Sequence, residues 1–206
     1  MPVTVSVSRL LCAAALCVAV PAASEGSILF TAMEVGDDVV IRSDGGTLDL
    51  SALSNDSTSD GPAGIVPGIG VLRTSDADFD FYIQGSSAIA GPTSFGTAGG
   101  PLAEPDTASG PVYGVFGNNR GIYVPTGYTS GDTLASATMT FLMEDFTSLG
   151  LTEGTYRWEW GSAGGEDFDF VELRIENVAP VPLPASALLL LAGLGALALR
   201  RRGVSG

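Results

Sequence analysis

Glycine and proline interrupt this chain so often that a long helix does not fit its central part. The 206 residues include 28 glycines and 12 prolines, and no apolar pattern of helical period persists between residues 25 and 178. Short segments of alternating apolar and polar residues occur instead, bounded by turn-forming residues. Because successive side chains of a strand point to opposite faces, such segments predict half-buried β-strands. The central part is therefore expected to be all-β.

The first strands are expected to form a hairpin. Ser27–Val35 and Asp38–Arg42 flank Gly36-Asp37, a dipeptide suited to a tight turn. A second turn, Asp44-Gly45-Gly46, leads into a short extended segment, Thr47–Leu50.

Three later segments alternate more clearly, with apolar residues at every second position: Phe79–Ile83, Ala135–Phe141 and Tyr156–Trp160. Each is expected to turn its apolar side chains inward and its polar side chains to solvent. Two stretches rich in glycine, proline and small polar residues, 51–69 and 85–111, are expected to be loops.

The last strand, Phe168–Ile175, changes parity along its length. A β-bulge near Phe170-Val171 would keep its apolar side inward. Its start, Glu166–Phe170, echoes Asp78–Phe81, and the two segments could face each other as one acidic cluster. Between these strands, Met143–Leu149 is expected to form a single helical turn.

The N-terminal end has the form of a secretory signal peptide. Arg9 precedes the apolar run Leu10–Val20, and small residues follow at Ala22, Ala23 and Ser24. Cleavage is expected after one of these three residues. Residues 1–24 are therefore assigned to the signal peptide and residues 25–178 to an extracytoplasmic domain.

The C-terminal end, residues 179–206, contains a proline motif, an apolar run and a basic cluster. The motif is Val181-Pro182-Leu183-Pro184-Ala185, and the apolar run ends at Leu199 before Arg200-Arg201-Arg202. As a helix, the run from Ala185 would be about 22 Å long, which is short for a bilayer core of about 30 Å. Tilt and snorkelling of the arginines can absorb this mismatch. The arginines should remain in the cytoplasm, which places the preceding domain outside the inner membrane.

These three features together closely resemble the VPLPA variant of the PEP-CTERM sorting signal. The resemblance implies recognition by an exosortase, a membrane-embedded protease of Gram-negative bacteria. It also implies transient anchoring in the inner membrane, removal of the tail, and release or attachment at the cell envelope, often alongside exopolysaccharide. The alternative is an ordinary single-pass anchor that follows a proline-rich linker.

The body of the chain is also similar to that of many PEP-CTERM proteins. The similarity is carried by turns and strand edges, in the stretches Gly46–Ser51, Val124–Tyr128, Ser148–Tyr156 and Trp158–Gly161, with Gly164. Such segments carry no known chemistry, so the resemblance bears on the fold more than on a molecular role.

Composition argues against catalysis. Cys12 and Cys17 both lie in the signal peptide, and the chain contains no histidine and no lysine. Histidine-based triads, cysteine nucleophiles, lysine Schiff bases and zinc sites built from histidine or cysteine are therefore excluded from the processed protein. A pair of carboxylates can hydrolyse glycosides, but no pair stands out among so many acids. We expect no enzyme activity and no cofactor.

Charge limits the partners. Between residues 25 and 178, five arginines oppose all 23 acidic residues, which gives a net charge of −18. This field disfavours nucleic acids and anionic lipid surfaces. It favours solubility, cation association or a salty habitat, and a general compositional bias without a specific site is the preferred interpretation.

Three aspartates, Asp76, Asp78 and Asp80, are spaced two residues apart. On a strand their carboxylates would share one face, about 7 Å apart. The spacing matches the opening of a calcium loop, but Phe81 occupies the glycine position and Ser87 the position of the closing glutamate. A solvated strand face is therefore preferred to a metal site.

The aromatic segment has two interpretations. Tyr156, Trp158 and Trp160 would form a flat platform for sugar rings if exposed, or part of the core if buried. Because Arg157 and Glu159 supply the polar face that an exposed side requires, the core interpretation is preferred.

The sequence thus predicts an antiparallel β-sandwich or jelly-roll-like single domain between a signal peptide and a transmembrane sorting helix. The expected function is that of an exported envelope or surface protein, structural or associated with a polysaccharide matrix. The alternative is a carbohydrate-binding module, with calcium as an optional ligand.

Overall fold

The computed structural model describes residues 27–85 and 88–177 and shows an all-β protein. In these ranges the chain forms fourteen strands and one short 3-10 turn, Pro67–Ile69. The strands are β1 (Ser27–Val35), β2 (Asp38–Ser43), β3 (Gly46–Thr47), β4 (Leu53–Ser59), β5 (Gly64–Val66), β6 (Val71–Arg73), β7 (Phe79–Gln84), β8 (Thr107–Ser109), β9 (Gly114–Phe116), β10 (Gly121–Pro125), β11 (Thr133–Leu134), β12 (Ala137–Phe141), β13 (Gly154–Trp160) and β14 (Asp169–Ile175).

Two six-stranded sheets enclose the main core. The first sheet has the order β13-β14-β1-β2-β12-β8 and the second β4-β7-β10-β9-β6-β5, while β3 and β11 form a small separate pair. Buried side chains of both large sheets belong to one apolar cluster, which includes Ile28 and Phe30 from the first sheet and Leu72 and Ile122 from the second. The arrangement is consistent with a β-sandwich.

Strand β1 lies at the centre of the first sheet. It forms the predicted hairpin with β2, in which Val35 opposes Asp38, and Gly36 supplies the positive φ of +68° that this short turn needs. On its other side β1 pairs with β14 in parallel, from Ser27 opposite Phe170 to Ala32 opposite Ile175. The sequence predicts a purely antiparallel fold. The first sheet is instead mixed, because β1 and β14 are parallel.

The predicted bulge in the last strand is wrong. Strands β13 and β14 pair without interruption from Gly154 opposite Ile175 to Trp160 opposite Asp169. Asp169, fully buried, occupies the inward position, and Phe170 lies on the outer face, where its ring centroid is 3.5 Å from the Arg157 guanidinium carbon. Inward and outward side chains therefore alternate along the whole of β14. Asp169 can take an inward position because its carboxylate accepts hydrogen bonds there.

Two strands and the 3-10 turn lie in residues 51–69, which the sequence predicted to be a loop. Strand β4 is an edge strand, and its side chains after Leu53 are exposed, so no apolar alternation marks it. In residues 85 and 88–111 the chain forms β8 and is otherwise irregular, close to the prediction. The expected helical turn near Met143–Leu149 is reduced to one hydrogen bond from the Leu149 N–H to the Asp145 carbonyl, 3.1 Å long, within a series of turns.

The second sheet carries apolar side chains on both faces. Phe79 and Phe81 share one face of β7, as predicted, but they pack with Tyr123 in a second cluster, separate from the main core. The expectation that the opposite face is solvated is wrong, because Asp80 is buried. Tyr82, on the opposite face of the same strand, packs against the main core instead. The guanidinium carbon of Arg73 lies 5.0 Å from the Phe79 ring centroid and helps to shield this outer cluster from water.

Candidate functional site

The predicted sorting motif, Val181–Ala185, the basic cluster, Arg200–Arg202, and the predicted signal peptide lie outside the described residues. Within residues 27–85 and 88–177, no helix is long and apolar enough to span a bilayer. The end of the described chain is held on the first sheet. The Glu176 N–H donates to the Ala32 carbonyl at 3.1 Å, and the Asn177 side-chain amide donates to Glu34 Oε2 at 2.8 Å. In the sequence, the predicted sorting motif begins four residues after Asn177.

The aromatic strand is part of the core, as the sequence predicted. Trp158 and Trp160 are each 1% exposed. Their indole N–H groups donate to the carbonyls of Pro92 and Asp49, at 2.8 and 2.7 Å. Tyr156 is half-buried and packs against the same cluster. The alternative interpretation, a flat sugar-binding platform on this strand, is therefore wrong.

The structure does not place Asp76, Asp78 and Asp80 on one strand face. Strand β7 begins at Phe79, so the first two aspartates lie in the preceding bend and are exposed, while Asp80 is buried. Asp76 accepts a hydrogen bond from the Ala63 N–H. Among the described residues, no group of three or more acidic, histidine or cysteine side chains is arranged to hold a metal ion.

Asp80 links three parts of the second sheet. Its carboxylate accepts hydrogen bonds from the Thr58 hydroxyl at 2.5 Å and from the Gly127 N–H at 2.8 Å. Burial alone would raise the pKa of this carboxyl, but hydrogen bonds from Thr58, Gly127 and Asn55 outweigh burial and hold the pKa below its ordinary value. Asp80 is thus an ionised structural acceptor.

The second acidic segment, Glu166–Phe170, does not form a joint cluster with the first. Asp169 accepts a hydrogen bond from the Asp49 N–H at 2.6 Å, whereas Asp80 accepts from Thr58 and Gly127. Asp167 instead accepts from the Ser162 N–H at 3.2 Å, within its own turn. The two segments therefore resemble each other in sequence but serve different turns.

Several stretches that carry the PEP-CTERM resemblance converge around residues 48–51. The Tyr128 hydroxyl accepts from the Leu48 N–H at 2.7 Å and donates to the Asp132 carbonyl at 2.8 Å. The Leu50 N–H donates to Ser130 Oγ at 2.8 Å, and Trp160 donates to the Asp49 carbonyl. These contacts satisfy the backbone of a segment that is not itself a strand. These contacts therefore stabilise the backbone of residues 48–51.

The surface clefts are shallow and acidic. One, of about 340 Å³, is lined by Glu34, Asp37, Glu144 and Asp145 beside the chain exit. Another, of about 260 Å³, is lined by Asp76, Glu104 and Asp106. Hydrogen bonds from Ser148 lower the pKa of the exposed Asp145 carboxyl. The pKa values of Asp80 and Asp145 are both lowered, away from the near-neutral pKa that a general acid requires.

Comparisons with protein families, with curated proteins and with solved structures find no match for this chain.

Sequence reasoning missed the structural roles of the carboxylates. Asp80 and Asp169 look like members of an acidic surface, yet each is less than 6% exposed and accepts hydrogen bonds from backbone N–H groups. The available signal is their position in the strands: Asp80 and Asp169 occupy positions in β7 and β14 whose side chains point inward. Without the register of the sheets, however, that parity cannot be assigned.

Proposed function

We propose that the chain is an exported β-sandwich protein of a Gram-negative cell envelope, sorted through its C-terminal tail by an exosortase-type protease. The observation that carries this proposal is the order of Val181–Ala185, an apolar run and Arg200–Arg202 after the folded domain. In this proposal residues 1–24 direct export, and the helix that begins near Ala185 crosses the inner membrane. The arginines remain in the cytoplasm.

The position of the chain exit supports this order of events. The Asn177 side-chain amide donates a hydrogen bond to Glu34, and only seven residues separate Asn177 from Ala185. An extended linker of that length spans about 22 Å at 3.1 Å per residue. The sandwich would therefore stay close to the membrane until the tail is cut, with the motif in the exposed linker between them.

The proposed role of the released domain is structural, in association with an extracellular matrix. Burial of Trp158 and Trp160 favours this role over sugar binding on the aromatic strand. The carboxylates that the sequence singled out hold turns and strands together, as the contacts of Asp80 and Asp169 show.

The sorting proposal is tested by substitution of the motif in the producing organism. With an epitope tag after Gly206, the double variant Pro182→Ala/Pro184→Ala should retain the tag in the membrane fraction, whereas the unaltered chain loses it. Pro180→Ala, just outside the motif, is the matched control and should be processed normally. Equal loss of the tag in all three chains would contradict recognition of the motif. Retention in all three would support a plain membrane anchor.

A further inference from the structure

Three exposed apolar side chains lie together at one end of the first sheet. The described part of the chain exposes four large apolar side chains, Leu29, Val35, Leu142 and Met143, and the last three are neighbours. Val35 ends β1 opposite Asp38, and the Met143 N–H donates to Asp38 Oδ1 at 2.9 Å. Leu142 directly follows β12, which pairs with β2. We call Val35, Leu142 and Met143 the exit patch.

The backbone of the exit patch holds an apolar side chain in solvent at a conformational cost. Met143 has a φ of +55°, in the left-handed region that a non-glycine residue rarely adopts, and it is 87% exposed. Carboxylates fix the chain on either side of it. The Leu142 N–H donates to Asp106 Oδ2 at 2.8 Å, and the Phe146 N–H donates to Glu34 Oε1 at 2.9 Å. Backbone strain that the surroundings hold in place in this way is typical of ligand-binding and switch regions.

Acidic side chains border the exit patch. Glu34, Asp37, Glu144 and Asp145 line the shallow cleft that contains Met143, and of the described residues that line this cleft none is basic. An apolar centre with an acidic border is complementary to an apolar pocket with a basic rim on a protein. It is a poor match for a lipid surface, because the phosphate groups of the lipids would repel the carboxylates.

The exit patch lies where the chain leaves the domain. The Asn177 side-chain amide donates to Glu34, the residue before Val35, and Val181 follows only four residues after Asn177. Four extended residues span about 12 Å at 3.1 Å per residue. A protease that grips Val181–Ala185 is larger than this gap, so its surface has to lie against this end of the domain.

We infer that the exit patch is a docking surface for the protease that removes the tail, so that the protease recognises the folded domain as well as the motif. Met143 and Leu142 enter an apolar pocket on the protease, and basic residues at the rim of that pocket face Asp37 and Glu144. The contact favours this chain over other proteins that carry a similar tail. This inference rests on the proposed sorting and adds a second recognition element to it.

The test is the rate of tail loss in the producing organism, followed by pulse-chase with an epitope tag after Gly206. Met143→Gly removes the exposed side chain and relieves the positive φ, so the domain should melt no lower, while tail loss should slow about tenfold. Leu142→Ser should slow it about fivefold. Leu29→Ser is the matched control, because Leu29 is exposed on the same sheet about 20 Å from Val35, and it should leave the rate unchanged. Normal removal of the signal peptide in the same samples shows that each variant is exported.

Charge reversal tests the nature of the partner. Asp37→Lys and Glu144→Lys should each slow tail loss about threefold, because a basic rim on the protease would then meet a like charge. Glu104→Lys, in a different acidic cleft, is the control and should leave the rate unchanged. If Asp37→Lys and Glu144→Lys instead accelerated tail loss, the exit patch would face the lipid surface rather than a basic protein, and the inference would be overturned.

Other results would also overturn the inference. Unchanged rates in Met143→Gly and Leu142→Ser would show that the exit patch is not recognised, and equal slowing by Leu29→Ser would show that its position does not matter. Self-association of the full-length chain that Met143→Gly abolishes would assign the patch to a second copy. All these results leave intact the sorting proposal, which Pro182→Ala/Pro184→Ala tests separately. Retention of the tag by the unaltered chain would overturn both.

Discussion

Carboxylates in this domain act mainly on the backbone. Asp169 accepts from the N–H groups of Asp49 and Phe170, both at 2.6 Å, and Asp80 accepts from the Gly127 N–H. Buried N–H groups without a partner are costly, so these acids stabilise turns that lack a strand partner. Part of the acidic composition therefore serves the fold rather than a ligand.

Asp80 should make stability depend on pH. Its pKa is below the reference value of 3.8, so the ionised form stabilises the fold above that pH, and this contribution is lost as the pH falls through the lowered pKa. Asp80→Asn should cost about 1 kcal/mol at pH 7 and progressively less in acid. Urea denaturation at pH 7, 4 and 3 measures the difference. Asp78→Asn, at an exposed position, is the control and should change little. If the loss in unfolding free energy caused by Asp80→Asn stayed constant down to pH 3, the account of Asp80 as an ionised acceptor with a lowered pKa would be refuted.

Trp158 should be among the residues that contribute most to stability. It is 1% exposed, and its ring lies edge-on to Phe95 at a centroid distance of 6.3 Å. Trp158→Ala should cost about 3–5 kcal/mol. Thr155→Ala, at an exposed position of the same strand, is the control and should cost much less. Thermal melts decide the point, and a stable Trp158→Ala variant would show that the ring is not in the core.

At the level of elements, strands with one buried face could be predicted and strands without one could not. Phe141, Met139 and Ala137 alternate with threonines, and β12 was found at that position. Strand β4 was missed because its side chains face solvent, and its pairing with β7 depends on backbone hydrogen bonds. The parallel pairing of β1 with β14 joins residues more than 140 positions apart, and no local pattern encodes such a contact.

The candidate sites show the same limit. Burial of Trp158 could be predicted because alternation is local, whereas burial of Asp80 and Asp169 depends on the register of the sheets.

Hydrogen exchange should separate central from edge strands. Amides of β1 and β14, paired on both sides, should exchange slowest, and those of the edge strand β4 much faster. Exchange followed by mass spectrometry or NMR measures this order. Equal protection of β4 and β1 would contradict the sheet order.

For the whole molecule, charge should govern stability. With a net charge of −18, self-repulsion opposes folding at low ionic strength, so the melting temperature should rise with sodium chloride. Calcium at matched ionic strength should add nothing, since Asp76, Asp78 and Asp80 do not converge. Scanning calorimetry of the unaltered chain and of Asp78→Asn tests both statements. If calcium specifically raised the melting temperature and Asp78→Asn abolished that rise, the result would support a metal site at these aspartates.

The central claim concerns the fate of the whole chain, which is export followed by removal of the tail. Intact-mass analysis of the native protein, extracted from the envelope of the producing cells, tests it most directly. The proposal predicts a mature species that begins after Ala22, Ala23 or Ser24 and lacks Arg200, Arg201 and Arg202. A dominant species that retains the entire C-terminal tail would contradict exosortase sorting and support an ordinary membrane anchor.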